Sequence, residues 1–370
     1  MDIENFKEQI QKTGFVLEYK VSQTLQANGW SVINNKYYVD DHQEAIREID
    51  LVAYKSTQVQ HFRLFTVLVI SCKKSDSNAW VLLSKTKDPN DPNIDWYPVH
   101  VWSNEKVFNY QITTPGWRDQ YSSQLYAAKC GELAQPPKHH IFAFQEMNRE
   151  SGKPNNDKHI FDSITSLMKA QAYELNSLPQ RKREPTLYQF NLLSIVDTDL
   201  IRLDFTEKKI TPKEVTSEIY IANYIINKQQ TTARVHFIRW NTLSLILKLY
   251  DALHISNTIF FNTQYDSFFS GLMSDVKRRS VVLVDIQNKL RSVIWFKLYR
   301  NYDIDIKPDD IFLSWSTAKK CVEIAIMPLN YEQVTFLNSD TELQTEVSRE
   351  FTTLCRYNGK FIFIEHDLPF

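Results

Sequence analysis

Apolar side chains recur at Phe6, Ile10, Phe15, Leu17, Val21 and Leu25 with roughly helical spacing, and Asn28-Gly29 supplies a stop, so the chain is expected to open with one or two helices. The period then shortens. Trp30–Ile33, Glu48–Ala53 and Phe65–Cys72 read as strands, the last so continuously apolar that it belongs at the centre of a sheet covered on both faces. A Pro-, Asn- and Asp-rich stretch from Ser84 to Pro98 reads as a loop or insertion. Arg118–Leu133 reads as a helix ended by Pro136-Pro137, His140–Gln145 as a strand and Phe161–Leu178 as a helix. Pro179 to Pro185 is expected to form an exposed connection. Beyond it, Leu187–Val196 and Leu200–Phe205 are expected to pair across Asp197-Thr198-Asp199, followed by a strand at Arg234–Arg239 and a helix at Leu243–Leu253.

After Tyr265 the pattern changes to a long amphipathic helix near Val281–Tyr299, a strand at Val322–Met327, a helix at Thr341–Arg356 and a strand at Phe361–Glu365. The whole predicts an α/β domain with an extension over residues 1–265, its core at about 10–180, and a smaller α+β domain over 266–370. No repeat of fixed period and no low-complexity tract interrupts it.

Composition narrows the chemistry. The chain has 370 residues and only 7 glycines, placed so that neither GxGxxG nor GxxxxGK[ST] can be drawn, which disfavours Rossmann dinucleotide enzymes and P-loop NTPases. A net charge of -1 excludes a wholly basic nucleic-acid coat and leaves room for a local basic surface. Cys72, Cys130, Cys321 and Cys355 form no CxxC, so reduced thiols are expected rather than a zinc ribbon or a disulfide scaffold. Charges at Asp2, Glu4, Lys7 and Glu8 stand where a signal peptide needs apolar residues, and no run of about 18 apolar residues occurs, so a soluble, cytoplasmic protein with no membrane partner is expected.

Three short pieces carry the candidate chemistry: Gly14-Phe15-Val16-Leu17-Glu18 on the first helix, Arg47-Glu48-Ile49-Asp50-Leu51-Val52-Ala53, and Val69-Ile70-Ser71-Cys72-Lys73-Lys74. Alternation along a strand puts Glu48 and Asp50 on one face, and Ser71 and Lys73 on one face of the neighbouring strand. Two adjacent strands can thus offer carboxylates and an amine to one point.

In their order and strand context these pieces resemble the PD-(D/E)XK nuclease superfamily over roughly Gly14 to Leu178. The resemblance implies a restriction-endonuclease-like mixed sheet flanked by helices and hydrolysis of DNA phosphodiesters with Mg²⁺ or Mn²⁺, as in bacterial restriction or phage defence. It implies that Asp50 binds the metal, that Lys73 orients or deprotonates the attacking water, that Glu18 supports the site from the helix, and that the backbone carbonyl of Cys72 is a further ligand. Carboxylate oxygens suit Mg²⁺, which lowers the pKa of a bound water, and a lysine can stabilise transition-state charge without occupying a metal position. Ser71 departs from the pattern, standing where the family carries Glu or Asp. Either another carboxylate compensates, Glu48 being nearest by strand geometry, or the site is degenerate and the module binds DNA or a protein partner without catalysis.

Other features weigh less. His139 and His140 are adjacent on a strand and point to opposite faces, so a shared metal is disfavoured. Trp80, Trp96, Trp102 and Trp117, with Lys85 and Lys87, offer either a base-stacking surface or a satellite core. Arg181-Lys182-Arg183 and Lys277-Arg278-Arg279 offer either phosphate contacts or solvated faces. No GxSxG elbow or HExxH helix is present. DNA is the expected partner, held by a basic surface flanking Asp50, with a second copy or a defence-system protein as further partner, and the C-terminal domain is expected to select substrate, oligomerise or sense a signal.

Overall fold

The computed structural model describes residues 3–40 and 45–366. It opens with helices α1 (Ile3–Ile10) and α2 (Gly14–Ala27), then strands β1 (Ser31–Asp40), β2 (Ala45–Gln58), β3 (Arg63–Lys74), β4 (Asn78–Thr86) and β5 (His100–Ser103). Helices α3 (Lys106–Thr113) and α4 (Trp117–Ala127), strand β6 (His139–Asn148) and helix α5 (Lys158–Arg181) follow. Five strands come next, β7 (Thr186–Asp197), β8 (Leu200–Phe205), β9 (Ile210–Glu214), β10 (Ser217–Ile226) and β11 (Gln229–Arg239). The chain continues with helices α6 (Leu243–Phe269) and α7 (Val276–Tyr302), strands β12 (Ile311–Ser316) and β13 (Cys321–Ile326), helices α8 (Tyr331–Ser339) and α9 (Thr341–Cys355), and strand β14 (Phe361–Ile364).

Contacts divide the chain into two units, Met1–Glu105 with Pro115–Phe261, and Lys106–Thr114 with Asn262–Phe370. The boundary read at 265 from the sequence therefore falls inside α6, and α3 joins the second unit. The first unit is α/β. Its main sheet runs β1-β2-β3-β7-β11-β10 with β5 also on β7, and its second runs β6-β4-β8-β9. The main sheet is mixed, because β3, β7 and β11 lie parallel while β1, β2, β5 and β10 join antiparallel.

The apolar run of β3 is central, between β2 and β7, as its composition requires. Phe65, Val67 and Val69 pack with Tyr188, Phe190 and Leu192 of β7 under Ile160, Ile164 and Leu167 of α5. The alternate residues Leu64, Leu68 and Ile70 are fully buried too, and α2, which also contacts β3, buries Leu17, Val21 and Leu25. Burial of a fully apolar side chain contributes about 1.5–3 kcal/mol, so this doubly covered strand is the strongest fixed point of the unit.

Several expectations are corrected. β7 and β8 form no hairpin, because β7 has β3 on one edge and β5 and β11 on the other, leaving no edge for β8. Instead the Asp197-Thr198-Asp199 corner is pinned to β4: Thr198 donates to the Asn78 carbonyl, the Trp80 amide donates to the Asp199 carbonyl at 2.9 Å, and β8 pairs parallel with β4. Ser84 to Thr86 belongs to β4 rather than to a loop. α5 runs through Pro179 to Arg181, since the buried Leu178 and the 2.8 Å Arg181–Glu174 pair hold its last turn. Trp80, Trp96 and Trp117 are buried, so the tryptophans form core rather than a stacking surface.

The second unit is α+β. Val282, Ile286, Leu290, Ile294 and Leu298 make an unbroken i, i+4 stripe along α7 that packs with Val322, Ile324 and Ile326 of β13 and Leu343, Val347 and Phe351 of α9. β13 pairs antiparallel with β12 and parallel with β14. No helix among the described residues is long and apolar enough to cross a membrane.

Candidate active site

Asp50 sits where strands part. The ladder between β2 and β3 ends at Leu51 opposite Ile70, whereas β3 continues beside β7 as far as Lys74 opposite Asp197. On the other edge, Asn34 pairs with Leu51 and Lys36 with Ile49, so the ladder skips Asn35 and Asp50. Asn35 takes a left-handed backbone, φ 51°, which asparagine tolerates better than most residues. Into this opening the Cys72 amide, released from the β2 ladder, donates to Asp50 Oδ2 at 2.5 Å. Lys73 Nζ lies 4.0 Å from the same oxygen. The carboxylate thus receives a backbone donor and faces a nearby cation.

Glu48, Asp50 and Lys73 line one cleft of about 570 Å³, and α5 forms a wall of it with Lys158, Asp162, Thr165, Ser166 and Lys169. The cleft is not basic. Arg47, Lys73, Lys158 and Lys169 are matched by Asp40, Glu48, Asp50 and Asp162. Asp40 is only 3% exposed and accepts from Lys169 at 2.7 Å, while Lys158 pairs with Asp162 at 2.6 Å. Burial, with Asp40 beside it, pushes the Tyr38 phenol at the cleft up to about 12. The expected basic surface beside Asp50 is replaced by a charge-balanced one.

Glu48 is exposed and accepts from Asn35 Nδ2. Glu18 is half-buried on α2 and does not line the cleft, but it feels the site: burial, then Asp50, raise its pKa above the ordinary carboxylate value, Lys73 lowers it and Glu48 raises it further. Ser71 is 1% exposed, its Oγ has no hydrogen-bond partner, and it does not line the cleft. The Cys72 thiol is buried, and burial pushes its pKa up. Its contact with Asp50 is made by the backbone amide.

These positions test a cation's fit. The donors are hard oxygens, Asp50 and Glu48 at the cleft with Glu18 behind; burial raises the Glu18 pKa most, and crowding by Asp50 and Glu48, which a divalent cation relieves, adds to it. Among the described residues no group of three or more His, Cys, Asp or Glu side chains is arranged to hold a metal ion. Mg²⁺ is commonly held by one or two carboxylates together with substrate phosphate and water, so the pair at the cleft suits it.

The remaining candidates are engaged elsewhere. His139 and His140 lie on β6, His139 3.7 Å from Asp204 and His140 edge-on to Trp96, with ring centroids 5.2 Å apart. Lys182 lies over Phe65 and Tyr188, and Arg278 and Arg279 donate to carbonyls of their own unit. Arg183 and Lys277 remain exposed. The α5 wall escaped the sequence reading, although Lys158, Asp162, Thr165 and Lys169 recur at helical spacing opposite the apolar stripe. Comparison with protein-family models, curated proteins and solved structures finds no match.

Proposed function

We propose that the chain is a metal-dependent nuclease that hydrolyses DNA phosphodiester bonds on a restriction-endonuclease-like sheet, similar to the PD-(D/E)XK superfamily. The observation that carries this reading is the meeting of Asp50, Glu48 and Lys73 in one cleft where β2 leaves β3. Asp50 and Glu48 would hold Mg²⁺ or Mn²⁺, with the Cys72 carbonyl as the further donor implied by the resemblance; the bound ion would neutralise non-bridging oxygens and acidify water. The Cys72 amide fixes the Asp50 carboxylate in place, and Lys73 lies 4.0 Å from it. Lys73 directs its ammonium charge to the developing charge on phosphorus-bound oxygen or to the attacking water. Glu48, exposed and with no cation partner within 4.0 Å among the described residues, would stand in as the ligand missing at Ser71. Lys158 and Lys169 on α5 give the phosphate backbone cations to contact. A role in restriction or phage defence, with the second unit selecting substrate or a partner, belongs to the same proposal.

A second reading is favoured by Ser71, a buried hydroxyl where the resemblance implies an acid: the cleft binds DNA or a protein partner without cleaving. Incubation of supercoiled and linear DNA with the full chain in Mg²⁺, Mn²⁺ or EDTA separates the two. Nicking or linearisation with either metal and none in EDTA supports the nuclease. Intact DNA in every arm refutes it.

A further inference from the structure

A second site lies in the first unit, at a gap in its main sheet. β3 pairs with β7 along the whole length of β7, but the other edge of β7 is shared. β5 covers it from Leu187 to Phe190 and β11 from Leu192 to Val196, so Asn191 has no strand opposite it on that edge. The gap holds a small, partly open cavity of about 40 Å³. A water needs about 10–15 Å³ by this kind of measure, so the space takes a group of a few heavy atoms.

Its lining is chemically unsatisfied. Gln171 of α5 is 3% exposed and its Nε2 has no partner; His100, at the start of β5, buries an unpartnered Nε2. Both line the cavity. Burial lowers the His100 pKa, against the smaller opposing effect of its bond to the Thr232 backbone, so the neutral ring offers Nε2 as an acceptor. Arg234 of β11 completes the set. It donates to the carbonyls of Gln135 and Glu132, has more N–H donors than these two, and has no carboxylate within ion-pair distance among the described residues. An unpaired guanidinium beside a buried amide donor and a buried acceptor is costly without a ligand that satisfies all three.

Access is provided. A neighbouring cavity of about 460 Å³ shares Leu133, Arg234 and His236 with the gap, so Arg234 stands between them. Lys138 and Lys213 line this outer cavity, are exposed, and have no ion-pair partner among the described residues; Glu132, Glu214 and Glu218 line it too, Glu214 paired with Arg239 and Glu218 with Arg202. We propose that the gap binds a small oxyanion carrying an O–H, in the manner of hydrogen phosphate or the singly protonated form of a phosphate monoester, whose second pKa is about 6. Its oxygens accept from Arg234 and Gln171, and its O–H donates to His100 Nε2. The site is separate from the Asp50 cleft, which none of these residues lines.

Calorimetric titration of the full chain in EDTA with inorganic phosphate, sulfate and a nucleoside monophosphate tests this. Saturable 1:1 phosphate binding, tighter than sulfate because sulfate brings no O–H at neutral pH, is expected. Arg234→Met should weaken it about tenfold or more and Gln171→Leu by about threefold or more, on the scale of losing hydrogen bonds to a charged group. A monophosphate that binds more tightly than phosphate identifies an ester reached through the outer cavity, and the reverse order identifies the free ion. Absence of saturable phosphate binding, sulfate binding as tightly as phosphate, or full affinity in both folded variants overturns the proposal. The comparison of phosphate with sulfate on the native chain decides alone if the variants do not fold.

Discussion

Ser71 and Glu18 show how much the surroundings decide at the scale of one residue. Ser71 looked like a weakened metal ligand in the sequence, and the fold removes it from the cleft altogether: it is buried with an unpartnered hydroxyl. A buried unmade hydrogen bond costs roughly 1–3 kcal/mol, so Ser71→Ala should raise the thermal transition and leave cleavage unchanged. A lower transition temperature would show that the hydroxyl is engaged. Glu18 gives a pH signature. Its pKa is raised in the fold, so the native state holds the proton more tightly and stability falls as pH rises through the interval above the ordinary carboxylate value. Glu18→Gln should therefore raise the transition at pH 7 by roughly 1–3 °C. The gain should vanish near pH ~4 and below, where the carboxyl is protonated in both states. A loss at pH 7 would mean that attraction to Lys73 outweighs the crowding. The approach of Lys73 to Asp50 was legible from strand alternation, which is a local property, while their roles rest on the resemblance. The Cys72 amide bond was not, since it depends on where the β2 ladder stops.

Helix α5 carries most at the scale of elements, packing on β3 and β7 with one face and walling the cleft with the other. Leu167 is fully buried in that packing, and Leu167→Ala should cost about 2–5 kcal/mol, measurable as a fall in the denaturant midpoint. A change of under about 1 kcal/mol, within the range of ordinary surface substitutions, would show that the contact is dispensable. The helices α2, α5, α7 and α9 and the central strand β3 were readable because their periodicity is strong and long. The β7–β8 pairing was misread because a short polar corner between two apolar runs fits both a hairpin and a crossover. Occupancy of β7's edges, set by β3, β5 and β11 from distant parts of the chain, selects the crossover.

At the scale of the whole molecule, a net charge of -1 meets a cleft whose four cations and four anions balance. Such a cleft gives little attraction for a polyanion by itself, so DNA affinity should be weak in EDTA and rise with Mg²⁺, and the metal-supported affinity should still fall with salt as counterions are released. Lys73→Ala, which keeps Asp50 and Glu48, allows this to be measured by fluorescence anisotropy without turnover. Equal affinity in EDTA and in Mg²⁺ would place the DNA on another surface.

The most direct measurement is the initial rate of DNA cleavage in Mg²⁺ by the native chain, Asp50→Ala, Lys73→Ala and Glu48→Gln, each verified as folded by its thermal transition. Cleavage by the native chain, abolished in the first two variants and reduced about a hundredfold or more in the third, on the scale of losing a group that stabilises transition-state charge, is the result expected. A native chain that cleaves nothing, or folded Asp50→Ala and Lys73→Ala variants that cleave at the native rate, would contradict it.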